Sequence, residues 1–304
     1  MLSQLFPNGE FSLGLSTPVK PPKPPQPSST RERSGKPQTS YSKRMVRNVV
    51  ARMERLHGKH NLAFATYTLP DLPEADMAHL RANWGDVAKA LTKAIGRDLE
   101  RAGIRPEWVY ITEIQDERRK KTGVIAPHFH VVFQSRKSRY HPYAISKERN
   151  TELWNRVLSN ALGRAIEAPF GANIQTIKKS AERYMSKYMS KGGNLAQKLI
   201  DKGQGNELPK QWWGASYSLR TWVKENCRLI AESTKDYIRQ NYKAIKENLE
   251  QSPFSWFHIH TIPSTEPHGE EVRTPIAIIG KVRASRMSAI ATRTLDDTVM
   301  SWEW

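Results

Sequence analysis

Apolar and polar residues alternate from Pro127 to Gln134, a period of two that predicts a β-strand. His128, His130, Val132 and Gln134 fall on one face, and Phe129, Val131 and Phe133 on the other. Two further stretches read as strands, Leu62–Pro70, ended by its proline and with Thr66 and Thr68 on a shared face, and Trp108–Gln115, in which Glu113 interrupts an apolar and β-branched run. Helical spacing appears over Arg44–Leu56, Trp84–Ala102 and residues 147–163, with Gly103 and Gly163 at the ends of the last two. The charged segment Asp116–Ala126 reads as a long hairpin loop, and Asn173–Ile177 as a short strand. Ser180–Lys191 contains no helix breaker, and Gly192-Gly193 is expected to stop it. A long charged helix is predicted over Trp222–Glu250, and one strand or a strand pair over Val272–Val282. The order, strand, helix, paired strands, helix, strand, helix, is that of an α+β fold.

Chemistry concentrates on two of these elements. If Trp108–Gln115 pairs antiparallel with the next strand, Glu113 comes beside His128 or His130 on the same face. Two imidazoles and a carboxylate leave coordination positions open, as a catalytic metal site requires. Gln134 shares the histidines' face and competes with Glu113 as third ligand. On the Ser180–Lys191 helix, Tyr184 and Tyr188 lie four apart on one face, and Lys187 and Lys191 repeat that step beside them. A tyrosyl oxygen is a covalent nucleophile once a cation stabilises its phenolate.

The charge narrows the partner. Lys and Arg number 48 against 30 Asp and Glu, a net charge of +18 and a pI near 10.0, which favours a polyanion and above all nucleic acid. Cys227 is the single cysteine, so neither a disulfide nor a cysteine metal cluster is expected, in keeping with a cytoplasmic protein. The chain has no apolar run approaching the ~20 residues of a membrane span and no secretory leader pattern. Residues 1–43, with prolines crowded over Pro18–Pro27, read as a disordered basic arm. Residues 44–225 read as the main domain, and residues 226–304 as a mainly helical extension with an acidic, tryptophan-bearing tail. No phosphate-binding loop of the helicase kind is present.

Together, His128-Phe129-His130 and Tyr184-x-x-x-Tyr188 resemble the paired motifs of HUH endonucleases, in the order found in two-tyrosine rolling-circle replication initiators. Phe64–Pro70 resembles their first motif, and Gln211-Trp212-Trp213-Gly214 a segment that follows the tyrosines. The resemblance covers about residues 44–220 and implies an antiparallel sheet of ferredoxin/RRM-like type with helices packed on one face and the site on its open face. It implies Mg²⁺ or Mn²⁺ on His128 and His130, with Glu113 as the acidic ligand, Tyr184 and Tyr188 as nucleophiles, and Lys187 as phosphate or phenolate partner. The implied reaction nicks and rejoins single-stranded or hairpin origin DNA through a 5′-phosphotyrosine link, leaving a 3′-OH primer. A host helicase and polymerase are the implied partners on a plasmid or phage replicon.

A second histidine–hydrophobe–histidine run, His258-Ile259-His260, lies after the tyrosines, as in relaxases, but lacks an acidic residue on a preceding strand. Two alternatives stand beside the initiator: a two-tyrosine transposase with the same chemistry, and a non-catalytic nucleic-acid-binding protein whose histidines and tyrosines stack on bases or fill core.

Overall fold

The structure, a computed structural model, describes residues 4–6, 8, 10–14, 39–177, 180–229, 232–251, 254–265 and 271–282. In chain order its strands and helices are β1 (Gln4–Leu5), β2 (Glu10–Gly14), α1 (Ser40–His57), β3 (Leu62–Thr68), α2 (Glu74–Ala82), α3 (Trp84–Arg101), β4 (Trp108–Ile114), α4 (Asp116–Thr122), β5 (Pro127–Gln134) and α5 (Lys147–Leu162). There follow β6 (Ala172–Thr176), α6 (Ala181–Asp201), β7 (Trp213–Ala215), α7 (Tyr217–Glu225), β8 (Arg228–Leu229), α8 (Glu232–Glu247), β9 (Phe254–Thr265) and β10 (Glu271–Val282). The chain is α+β with two antiparallel sheets and divides into two units, Ser28–Thr221 and Met1–Pro27 with Trp222–Trp304.

In the unit Ser28–Thr221 the sheet order is β6-β3-β5-β4-β7. The histidine strand β5 is central, with β3 and β4 antiparallel on its two sides. Its apolar side packs as the alternation predicts: Phe129, Val131 and Phe133 are fully buried against residues of α2, α3 and α5. Trp84 of α3 stacks on Phe129 with ring centroids 4.1 Å apart, and the Trp154 indole of α5 donates to the Thr68 carbonyl at 2.8 Å. These aromatic side chains bury the largest areas and hold the strand to the helices behind it.

The second face is also covered, which corrects the expectation of helices on one face only. α1 packs on β3, β4 and β5, and α6 packs on α1, β4 and β5. The reason lies in the stripes of both helices: Met45, Val46, Val49, Val50 and Met53 along α1, and Met185, Met189, Ala196 and Leu199 along α6, are all buried. Nor does the glycine pair stop α6, which runs through Gly192 and Gly193 to Asp201. A Cβ on Gly192 would lie 3.3 Å from the Thr112 carbonyl oxygen, so this residue lets the helix press against the β4 backbone. Asp116–Thr122, expected as loop, is α4, capped by Gly123 in the left-handed region at φ 76°.

The unit Met1–Pro27 with Trp222–Trp304 holds the second sheet, in the order β8-β1-β2-β10-β9. Here two expectations are corrected. Gln4–Leu5 and Glu10–Gly14, read as part of a disordered arm, pair with strands from the other end of the chain. The region after residue 226, read as mainly helical, is dominated by the β9–β10 hairpin, with the predicted long helix divided into α7 and α8 around β8. Leu5, Phe11, Leu13, Ile238, Ile245, Phe254 and Ile278 form its core. Pro18–Pro27 and the acidic tail lie outside the described residues. Among the described residues no helix is long and apolar enough to cross a membrane.

Candidate metal centre and the tyrosine helix

Antiparallel register sets Glu113 of β4 opposite His128 of β5, and Ile111 opposite His130. Glu113 therefore reaches one histidine across the ladder and the other along the diagonal. Its Oε2 lies 3.1 Å from His128 Nε2 and 2.8 Å from His130 Nε2. The cluster's ligand atoms all fall within 4.8 Å of one another, and among the described residues it is the one His/Cys/Asp/Glu group of this kind. On the other side of β5, Thr66 of β3 stands opposite His130, with its Oγ1 3.1 Å from His130 Nδ1. With Nδ1 paired to the hydroxyl, Nε2 is the nitrogen turned to the carboxylate, the orienting arrangement common around metal-ligating histidines.

Electrostatics prepares the group for a cation. Burial pushes the Glu113 carboxyl up, but hydrogen bonds from His128 and His130, and their positive charge when protonated, outweigh it and hold the pKa down at about 2. Burial lowers His130 to about 4, with Glu113 opposing part of that effect, so the imidazole is neutral at pH 7. His128 Nδ1 is buried without a hydrogen-bond partner. A borderline or hard divalent ion suits this donor set of one carboxylate and two imidazoles.

α6 brings the tyrosines to the same place. The Tyr188 ring stacks on His130, centroids 3.8 Å apart and planes inclined by 28°. Phe64 of β3 is buried beside them, with centroids 5.4 Å from Tyr184, 5.6 Å from Tyr188 and 5.2 Å from His130. Burial raises the Tyr188 pKa, as do the charges of Glu113 and Tyr184, so this phenol keeps its proton in the resting protein. Lys187 is exposed, with its ammonium 5.8 Å from the Tyr188 ring centroid. The start of α6 is held by Glu54 of α1, whose carboxylate accepts from the Ala181 backbone amide and from Ser180 Oγ. A cleft of about 510 Å³ opens beside the cluster, lined among others by Glu113, His128, Tyr188, Arg118, Lys191 and Lys198.

Glu113, His128, His130, Tyr184, Lys187 and Tyr188 thus gather around one face of β5, and Gln134 does not. It lies four residues from His130, ~13 Å along a strand, and its side-chain amide donates to the Arg136 carbonyl at 3.2 Å. The competing pair fares similarly: β9 is an edge strand, and opposite His258 and His260 stand Ile279 and Ala277 rather than a carboxylate. Sequence reasoning missed Phe64 as the aromatic wedge and Arg118 as a wall of the cleft. Phe64 carried a signal in its place on the strand of Thr66, whereas Arg118 lay in a segment with no periodicity. Gln211-Trp212-Trp213-Gly214 leads into β7, which pairs with β4 and closes the sheet on that side. The chain matches no protein-family model and no curated protein sequence.

Proposed function

We propose that this chain is a metal-dependent DNA strand transferase of the HUH type, a rolling-circle replication initiator that nicks and rejoins single-stranded origin DNA. The observation that carries the reading is the stacking of Tyr188 on His130, which puts a phenol against a histidine that already shares a carboxylate with His128. Glu113 Oε2, His128 Nε2 and His130 Nε2 would hold Mg²⁺ or Mn²⁺, and such an ion supplies a Lewis acid for a phosphate oxygen.

The chain's own residues account for the remainder. DNA enters by the cleft, where Lys191 and Lys198 offer positive charge to its phosphates. The Tyr188 oxygen attacks phosphorus as its phenolic proton passes to solvent water. The bond from phosphorus to the 3′ oxygen breaks, and that oxygen takes up a proton to become the 3′-OH. The 5′ phosphate stays esterified to the tyrosine. Attack by a 3′-OH reverses the step and reseals the strand, so neither direction needs an external energy source. Tyr184, one helical turn away on the same face, is the second nucleophile for the regenerated origin. With both sheet faces covered by helices, the cleft beside Glu113 and His128 is the way in. Extension of the 3′-OH and unwinding fall to a host polymerase and helicase.

The test is covalency. Protein incubated with single-stranded DNA carrying candidate origins and Mn²⁺, then denatured, is expected to yield a protein–DNA adduct. The adduct should vanish in the Tyr184→Phe/Tyr188→Phe double variant, and His128→Ala should abolish cleavage while sparing most DNA binding. Absence of an adduct across origins and metals would sink the reading.

A further inference from the structure

Away from the metal cluster, the sheet carries a second built groove. β4 separates the two, with Glu113 on the α6 side and Trp108 and Tyr110 on the α3 side. The groove holds about 430 Å³ and is lined among others by Trp108, Tyr110, Trp213, Gln211, Lys89 and Arg220. Its floor is fixed. The Tyr110 ring is 5% exposed, hydrogen-bonds to Gln211 and stacks with Trp108 at 6.0 Å between centroids. The Gly214 backbone lies so close that a Cβ there would come 2.6 Å from the Tyr110 ring. Trp108 remains partly exposed above this floor, whereas Trp213 pairs with Ile111 and so turns its ring to the α6 side.

Cations surround these rings. Lys89 and Arg220 are exposed at the groove, and Lys93 and Arg97 continue the row from Lys89 along α3 at successive turns. None of these four forms an ion pair among the described residues, whereas nearby Arg101 and Arg149 are both engaged by Asp98. An aromatic recess edged by uncommitted cations is the arrangement that takes a base by stacking and its phosphates by charge.

We infer that this groove is a binding site for single-stranded DNA, separate from the cleft beside the metal cluster, which seats a base over Trp108 and its flanking phosphates on Lys89 and Arg220. The strand then runs along α3 past Lys93 and Arg97. The site needs no metal and no cleavage, so it holds or fails independently of the nuclease reading.

The experiment measures anisotropy of fluorescein-labelled dT15 and of an abasic oligonucleotide of equal length, in EDTA, with the full-length protein. Wild type should bind dT15 tighter than the abasic strand, by roughly tenfold for one stacked base. Trp108→Ala should lose that preference and Trp108→Phe should keep most of it. Lys89→Ala/Arg220→Ala should weaken both probes and reduce the slope of log affinity against log salt by about 1.4, two contacts at ~0.7 each. Replacing one thymine with 5-iodouracil should cross-link to Trp108 on irradiation. Equal affinity of wild type for the two probes, or an unchanged salt slope in the folded double variant, overturns the inference. So does cross-linking confined to the Tyr184/Tyr188 cleft.

Discussion

His130 and Tyr188 lie face against face, their ring centroids 3.8 Å apart, although 58 positions separate them in the chain. One ring belongs to the central strand and the other to a helix laid across it, so the candidate ligand and the candidate nucleophile form a single wall. Phe64 is buried next to both and touches Tyr184 as well. What happens to any one of these rings is felt by the others.

Metal binding should therefore depend on residues from three strands. Mn²⁺ titration followed by electron paramagnetic resonance should show affinity falling at least about a hundredfold in His130→Ala and Glu113→Gln. Thr66→Val keeps all three ligands and removes the hydroxyl at His130 Nδ1, 3.1 Å away. Its cost should be roughly tenfold to a hundredfold, as for other groups that orient a ligating histidine. Wild-type affinity in Thr66→Val would mean that the hydroxyl does not orient the ring.

Phe64→Ala should cost about 3–5 kcal/mol in urea unfolding, since it empties a fully buried ring site. Phe64→Leu keeps much of the volume and should cost clearly less. If adduct formation is measured in the stable Leu variant, it should fall, because the support common to both tyrosines is gone while both hydroxyls remain.

The Asp98–Arg149 pair gives a pH signature. Hydrogen bonds from Arg149, aided by the charges of Arg149 and Arg101 and opposed by burial, hold the Asp98 carboxyl below its usual range. A carboxylate depressed on folding adds stability above its unfolded pKa of ~3.9 and loses it as pH falls through the folded value. Asp98→Asn should be less stable than wild type by about 1 kcal/mol at pH 7. The gap should hold down to about pH 5 and close below about pH 4. A gap that widened on acidification would contradict the assignment.

The two glycines of α6 should respond oppositely. A Cβ at Gly193 would meet the Lys43 ammonium at 3.7 Å, an ordinary contact, so Gly193→Ala should gain about 0.5–1 kcal/mol from helix propensity. A Cβ at Gly192 would meet the Thr112 carbonyl at 3.3 Å and Glu113 Cα at 3.5 Å, so Gly192→Val should lose about 1–3 kcal/mol as the helix is pushed off β4. Chemical denaturation of the two variants tests the contrast.

The parts of this fold that could be read in the sequence are those whose signal is local. The alternation over Pro127–Gln134 and the spacing of Leu91, Ile95 and Leu99 repeat within a few residues, and the structure has β5 and α3 where they predict them. Glu113 could be placed because only the twelve residues 115–126 separate β4 from β5, which made their pairing a short extrapolation. α4 escaped because Asp116–Thr122 buries nothing and so has no stripe to detect. α6 outran its predicted end because burial of Ala196 and Leu199 outweighs the ~1 kcal/mol that each glycine costs a helix. The N-terminal strands escaped for the opposite reason: Phe11 pairs with Gly280, and no window of sequence contains both.

α6 is fastened at both ends, by Glu54 at Ala181 and by the packing of Ala196 and Leu199 beyond the glycines. Tyr184 and Tyr188 are thus teeth on a fixed rack, spaced about 6 Å along its axis. On the proposed reading, a change of nucleophile cannot come from the helix sliding to offer the next tyrosine. The DNA must be the moving part, advancing by about one tooth between the first cut and the second. The offset between the two cut positions would then be set by a helical repeat in the protein.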